Sequence, residues 1–227
     1  MRGQMGLALG VVVLASASAS AQLANGGFET AGSGGQVFSD WANYGFDGGN
    51  ILRADASEVA PFEGSFSCKM FGLFNFAPQQ DVVLQQSNIP AAAGEEWTLS
   101  VRNLHNSADP IQGPNFLVVV IDFYDAGNVR IGGNSKITID ANSPTDQWIA
   151  DSVVSTAPTG TASVQATLVY IAFSDDPFNP GYAGAVFVDD VKLEKAGGTC
   201  AGDFDQNGVL NSSDFLAFLN AYVQCGG

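Results

Sequence analysis

The residues best equipped for chemistry lie near the C-terminus. Asp203, Asp205, Asn207, Asn211 and Asp214 stand at positions 1, 3, 5, 9 and 12 of a twelve-residue segment, with Gly208 at position 6. Oxygen-bearing side chains at that spacing converge on one hard divalent cation because the chain winds around it. The glycine permits the sharp turn at the middle, and Val209 at position 7 offers its backbone carbonyl. The ion this donor set suits is calcium. Asp rather than Glu at position 12 is shorter and reaches less readily as a bidentate ligand, which lowers the expected affinity. Phe215, Phe218, Leu219 and Tyr222 then recur at i, i+3, i+4 and i+7, an apolar stripe along one face of a helix. With no second segment of this kind to cover it, the stripe must pack on the preceding domain, on its own loop, or on a partner.

A second acidic position lies in Ala185-Val-Phe-Val-Asp-Asp-Val-Lys-Leu193. Strand alternation puts Asp189 on one face with Phe187, Val191 and Leu193, and Asp190 on the other with Lys192. If the Phe187 face is the core, Asp189 points inward, and a buried carboxylate needs hydrogen-bond donors, a cation or a metal. Glu29, in Asn25-Gly-Gly-Phe-Glu29, is a candidate to share that cation.

The elements that must position these groups read as strands. Trp97, Leu99 and Val101 alternate with Thr98, Ser100 and Arg102, a half-buried strand. Phe116 to Ile121 is apolar on both faces, as expected in the middle of a sandwich. Asp125-Ala-Gly-Asn128 turns it back into Val129 to Ile131, a hairpin. Further strands are expected at Val82–Gln86, Lys136–Ile139, Gln147–Val154, Val164–Phe173 and Ala185–Glu194. No stretch before residue 210 keeps a helical repeat. The fold class is therefore all-β, an antiparallel double-sheet sandwich of the jelly-roll kind with a small C-terminal calcium-loop and helix appendage.

Charge and composition narrow the partners. With 23 acidic against 8 basic side chains and a formal charge of -15, the chain is poorly suited to a phosphate backbone or an anionic lipid surface. Nucleic acid and membrane are excluded on that ground. The hydrophobic fraction of 46% and charged fraction of 14% are those of a folded chain. Arg2, the apolar run Leu7–Leu14 and the Ala-x-Ala pattern ending at Ala21 read as a secretory leader over residues 1–21, too short to span a bilayer. The expected location is secreted, extracellular or at the cell surface, where cysteines can pair. The expected organisation is a sandwich over 22–195, a linker at 196–199 and a calcium-binding tail over 200–227.

Four stretches carry a likeness beyond the general pattern. They are Asn25-Gly-Gly-Phe-Glu29 with Trp41 after it, Gly64-Ser-Phe-Ser-Cys-Lys-Met70, Ala93-Gly-Glu-Glu-Trp-Thr-Leu-Ser100, and Phe187-Val-Asp-Asp-Val-Lys-Leu193. In order and spacing they resemble the carbohydrate-binding modules of the jelly-roll, galactose-binding-like type, over almost the whole sandwich. That resemblance implies a structural calcium held by Glu29 and Asp189, with backbone carbonyls completing its oxygen shell. It also implies that Trp41, Trp97 and Trp148 are core aromatics. The tail, with Asp214 at position 12 and a helix after it, is similar to half of a type I dockerin. It is closer still to the single-repeat, cysteine-flanked dockerin-like tails of some exported bacterial proteins. It departs from full dockerins in having one repeat where they have two. A cohesin-like or other surface protein is the partner this implies. So short a tail needs staples, and a disulfide between Cys200 and Cys225 would restrict its unfolded state by about 3.5 kcal/mol. Cys68 is then the odd thiol, buried and inert.

Sugars are recognised by flat aromatic faces and polar side chains that fix the hydroxyls. Tyr44 and Phe46, Phe71, Phe74 and Phe76, and Phe178 and Tyr182 are the aromatic candidates. Phe178 and Tyr182 are preferred as ligand contacts, because two prolines stiffen their loop and they fall outside the strand pattern. Catalysis has little support. His105 is the one histidine and lies in a loop-like stretch, and no G-x-S-x-G, H-E-x-x-H or phosphate-binding glycine loop is present. The reading is an exported, non-catalytic, calcium-binding protein that takes a polysaccharide or glycan. The alternatives are a surface structural or adhesion protein without a sugar site, and a small glycoside hydrolase with a dockerin-like tail.

Overall fold

A computed structural model describes residues 23–44, 50–72, 79–173, 184–196 and 211–224. It contains the strands β1 (Ala42–Tyr44), β2 (Ile51–Asp55), β3 (Phe66–Phe71), β4 (Gln79–Pro90), β5 (Glu96–Leu104), β6 (Phe116–Tyr124), β7 (Arg130–Asp140), β8 (Ile149–Thr156), β9 (Ser163–Phe173) and β10 (Ala185–Lys195), and the helix α1 (Ser212–Gln224). Residues 20–196 form one compact unit and 197–227 belong to another.

The strands make two five-stranded sheets, β1-β4-β9-β6-β7 and β2-β3-β10-β5-β8, and every pairing is antiparallel. This is the expected sandwich. Alternation explains it: Leu117, Val119, Ile121 and Phe123 of β6 and Val164, Ala166, Leu168 and Tyr170 of β9 face Cys68, Met70, Leu99, Val101, Val186 and Val188 of the other sheet in one core. Trp41 and Trp97 are each 1% exposed and belong to that core, as expected. Truncating any of the large ones costs about 2–5 kcal/mol.

The hairpin forms where the turn residues require it. Asp125 Oδ1 accepts the Gly127 and Val129 N–H groups, Asn128 takes a φ of 61°, and β6 pairs with β7. The segments expected at 129–131 and 136–139 are one continuous strand, β7. Two short strands near the start, β1 and β2, carry too little alternation to be read from sequence.

The closing strand departs from simple alternation. Val186 and Val188 enter the main core, while Phe187 joins Ala54 and Leu104 in a second cluster, with Val59 and Trp148 packed against it. Asp190 has a φ of 48°, and the register shifts between Asp189 and Lys192. The bulge resets the phase, so Val191 and Leu193 return to the main core. Asp189 thus shares a face with Phe187 but not with Val191 or Leu193. Trp148 is likewise not in the main core; it is half-buried over the second cluster.

Candidate functional site

The carboxylate is buried, as the sequence suggests, but on the Phe187 face outside the main core. Asp189 is 0% exposed, and its Oδ2 accepts the Phe62 and Glu63 N–H groups at 2.9 and 3.2 Å. Its Oδ1 accepts the Asp190 N–H at 2.7 Å. Glu29 meets the other end of the same turn, its Oε1 accepting the Ser65 and Phe66 N–H groups at 2.9 and 3.0 Å. Two carboxylates therefore clamp the 62–66 turn from either side. The turn is folded at Gly64, whose φ is 63° and whose Cβ, were there one, would overlap the Glu29 carboxyl. Gly27 lies where a Cβ would meet Glu63 Oε1 at 3.2 Å and Asp189 Oδ1 at 3.8 Å.

No lysine or arginine pairs with Asp189 among the described residues. Burial pushes its carboxyl up to about 6, against the pull of the three N–H donors, and the nearby Glu63 charge adds to the rise. A buried, uncompensated carboxylate beside a second one is oxygen chemistry that suits calcium. Among the described residues no three His, Cys, Asp or Glu side chains converge on one point. Backbone carbonyls would have to complete any ion's shell. Glu63 was not foreseen; its signal is only its place one residue before the Gly64 turn.

The outer faces of the two sheets differ sharply. On β2-β3-β10-β5-β8 Phe187 and Leu104 are covered, at 1% and 4% exposure, and the exposed apolar groups, Leu52 and Val154 at 44% each, stand on the two edge strands. On β1-β4-β9-β6-β7 a row of apolar side chains crosses all five strands in register. Tyr44 stands opposite Val83, Val83 opposite Val169, Val169 opposite Val118, and Val118 opposite Ile137. Tyr44 is 55% and Ile137 51% exposed, with half-buried valines between them.

Polar groups border this row. On one side the register runs Asp81, Ile171, Phe116, Asp140, and the Phe116 and Phe173 rings lie 6.2 Å apart. Gln79 Nε2 donates to Asp81 Oδ1 at 2.8 Å. On the other side run Gln85, Thr167, Val120 and Ser135, where Gln165 Nε2 donates to both Thr167 Oγ1 and Gln85 Oε1. The arrangement offers a flat apolar and aromatic floor between fixed amides and carboxylates. The sequence signal for it is the double-sided apolarity of Phe116 to Ile121. Leu117, Val119 and Ile121 are buried, but Phe116, Val118 and Val120 form part of an open face.

Of the aromatic candidates, Tyr44 lies on this face, while Phe71 is half-buried on the other sheet with Lys69 Nζ 5.7 Å from its ring centroid. Phe46, Phe74, Phe76, Phe178 and Tyr182 lie outside the described residues, as do the leader, Asp203, Asp205, Asn207, Val209, Cys200 and Cys225. Cys68 is buried in β3, and burial, with the charge of Asp189 adding to it, pushes its thiol well above the usual range. His105 lies in the loop just after β5, as expected, and is 1% exposed. Its Nε2 donates to the Ser143 carbonyl at 2.9 Å and its Nδ1 accepts the Ile111 N–H at 3.0 Å. A ring filled at both nitrogens by backbone groups is a structural staple and not a catalytic base.

In the tail, Asn211 and Asp214 flank the start of α1. Asn211 Oδ1 accepts the Ser213 N–H, and Asp214 Oδ2 accepts the Asn211 N–H, each at 2.7 Å. This is a reciprocal capping box, a role for both residues that the ligand spacing alone did not suggest. Phe215, Leu216, Phe218 and Leu219 are 61, 59, 40 and 39% exposed.

No family model and no curated protein sequence matches the chain. Solved structures do. A family 61 carbohydrate-binding module in complex with β-1,4-galactotriose is similar over 76% of this chain and 96% of its own, at 16% identity and a TM-score of 0.49. The enzymatically active domain of tailspike protein 4 from bacteriophage CBA120 is similar over 76% of this chain, at 13% identity and a TM-score of 0.51; the match spans 21% of the tailspike chain. A family 22 xylan-binding domain from Paenibacillus barcinonensis is similar over 68% of this chain and 85% of its own, at 14% identity and a TM-score of 0.41. At such identities the likeness is one of fold. Among the described residues no helix is long and apolar enough to cross a membrane.

Proposed function

We propose that the protein is an exported, non-catalytic glycan-binding module that lays a saccharide chain across the open face of β1-β4-β9-β6-β7. The observation that carries this reading is the in-register row from Tyr44 to Ile137 between amide and carboxylate rows. Sugar C–H faces pack on such a floor, and vicinal hydroxyls take bidentate hydrogen bonds from fixed amides and carboxylates. Phe178 and Tyr182 are further ligand contacts on sequence grounds alone. Calcium at Glu29 and Asp189 stiffens the sandwich, and a second ion in the Asp203–Asp214 loop, with a Cys200–Cys225 disulfide, folds the tail. The tail in turn attaches the module to a cohesin-like or other surface protein.

A glycan array probed with and without calcium tests the module, with galactan and xylan oligosaccharides among the probes. Saturable binding that falls at least tenfold in Tyr44→Ala and in Val118→Asp supports the reading. Silence across all glycans, or binding indifferent to both substitutions, overturns it.

A further inference from the structure

A second concave site lies on the opposite sheet, away from the face just described. Segment 55–63 folds over the outer face of β2-β3-β10-β5-β8, and beside it a cavity of about 410 Å³ opens against Trp148. That volume falls toward the lower end of the ~300–1,000 Å³ typical of small-molecule sites. Its walls come from three separate segments: Glu58 and Ala60, Leu104 with Asn106 to Ala108, and Asp146 with Trp148.

Each wall is fixed before anything binds. The Trp148 indole N–H donates to the Ala60 carbonyl at 3.0 Å, which sets the ring, and Phe62 meets it edge-on at 6.2 Å. The Arg102 guanidinium sits over the Phe62 ring, 4.5 Å from its centroid. Asp146 Oδ1 accepts the Ser107 N–H at 2.8 Å, and the Asp146 N–H donates to the His105 carbonyl at 3.0 Å. The His105 ring then ties these two segments to Ser143 and Ile111. Asn106 Oδ1 accepts the Asp109 N–H at 2.8 Å. Rigid walls lower the ordering cost of binding, so this much tying-down around an open cavity is what a recognition site requires.

The chemistry of the walls selects the ligand. Trp148 offers a flat aromatic surface. Asp146 and Glu58 retain acceptor capacity on the oxygens not used by Ser107 and Lys69. Among the described residues that line the cavity there is no lysine or arginine; Lys69, beside it, is paired with Glu58 at 2.5 Å, and the Arg102 guanidinium lies against the Phe62 ring. Two carboxylates and no cation in the described lining disfavour an anionic ligand such as a uronate or a sulfated sugar, whereas hydroxyl groups donate to them readily.

We infer that the Trp148 cavity is a second saccharide subsite, taking a neutral terminal mono- or disaccharide whose ring stacks on the indole while its hydroxyls donate to Asp146 and Glu58. The inference rests on the glycan-binding reading but names a different place, so the two fail separately. Two independent subsites would let one module grip a branched glycan or two chains at once.

Trp148 supplies its own readout, because Trp41 and Trp97 are sealed in the core. The full-length protein is titrated with methyl β-galactoside, lactose and xylobiose, and tryptophan emission and acrylamide quenching are followed. A saturable change of emission with quenching reduced at least twofold is expected. It should persist in Tyr44→Ala and vanish in Trp148→Ala and in Ala108→Phe. The second variant fills the cavity from an exposed position, so it guards against a Trp148 variant that fails to fold. Unchanged quenching at saturating sugar, with glycan binding still lost in Tyr44→Ala, overturns this subsite and leaves the open face standing. A response to a quaternary ammonium probe but to no neutral sugar overturns it as well. A response to sugar that survives Ala108→Phe places the ligand elsewhere and also refutes it.

Discussion

Replacing Asp189 by alanine separates a carboxylate that is merely tolerated from one that organises the fold. The substitution removes the acceptor of three backbone N–H groups, on Phe62, Glu63 and Asp190. Hydrogen bonds to charged groups contribute about 1.5–3 kcal/mol each, so the gross loss is about 4–9 kcal/mol. Against this stands relief of a buried charge. With the carboxyl raised from 3.8 to about 6 in the fold, the native state disfavours its ionised form by at most about 3 kcal/mol, less where water reaches it. The net cost at pH 7 without calcium is therefore about 1–6 kcal/mol. The pH dependence has a definite sign. Between pH 4 and 6 the native Asp189 keeps a proton that the unfolded chain has released, so this group's contribution to stability falls as pH rises and is flat above pH 7. Asp55, Asp140 and Asp146 are lowered by backbone or side-chain hydrogen bonds and slope the other way, their contribution being lost as pH falls. Subtracting the Asp189→Ala profile from that of the unsubstituted protein isolates the one group. Urea unfolding in EDTA from pH 4 to 8 is the assay. A difference profile that is flat, or a loss below about 0.5 kcal/mol at pH 7, refutes the reasoning. Calcium sharpens the test: an ion at this carboxylate holds it ionised and binds only the native state, adding about 2.7 kcal/mol at a hundredfold excess over its dissociation constant. The decline between pH 4 and 6 should then disappear. If a millimolar calcium series leaves the difference profile as it was in EDTA, Asp189 does not bind the ion.

His105→Ala should cost about 2–4 kcal/mol in urea unfolding, because it orphans the Ile111 N–H and the Ser143 carbonyl within a buried site; a loss under 1 kcal/mol would show that water replaces the ring. Gly64→Ala should destabilise by more than about 1 kcal/mol, since a left-handed φ of 63° coincides with overlap on the Glu29 carboxyl, and Glu29→Ala should relieve part of that cost in a double-mutant cycle. Gly26→Ala drives a Cβ into the Val191 carbonyl and should lower the melting temperature without changing glycan specificity. Asp203→Ala with Asp205→Ala should remove one calcium per chain in calorimetry while the near-UV signal of the sandwich is kept; unchanged stoichiometry would sink the tail loop. Asn211→Ala should weaken α1 by about 1 kcal/mol through loss of its cap, even in EDTA, where a pure ligand role would show nothing.

How far the sequence speaks depends on which interaction decides each feature. Alternation alone places Trp97, Leu99 and Val101 in β5 and folds β6 onto β7, because side-chain direction in a strand is local. It puts Val191 and Leu193 on the face of Phe187, because the bulge at Asp190 is not visible to it; there the Gly26 carbonyl, far away in sequence, accepts the Val191 N–H at 3.0 Å. No local window contains that contact. Asp189 is legible as a buried carboxylate, but not the face it takes, and what receives it, the backbone N–H groups of Phe62 and Glu63, lies more than a hundred residues away.

The open face shows the same limit more instructively. A run such as Phe116 to Ile121 reads as a strand buried on both sides, since apolarity ordinarily follows burial. Here Val118 and Val120 stay half-exposed, flanked by Tyr44 at 55% and Ile137 at 51%. An apolar row kept open across five strands lowers solubility without adding to the core, so it needs a reason outside folding. The tail poses the complementary case. Phe215 and Phe218 are 61 and 40% exposed on a helix whose first turn is already closed by Asn211 and Asp214. A capped helix can present Phe215, the most exposed of its aromatic side chains among the described residues. If a partner takes it, Phe215→Ser should abolish capture while leaving calcium binding by the Asp203 loop intact, whereas a face that serves only to fold the tail would lose both together.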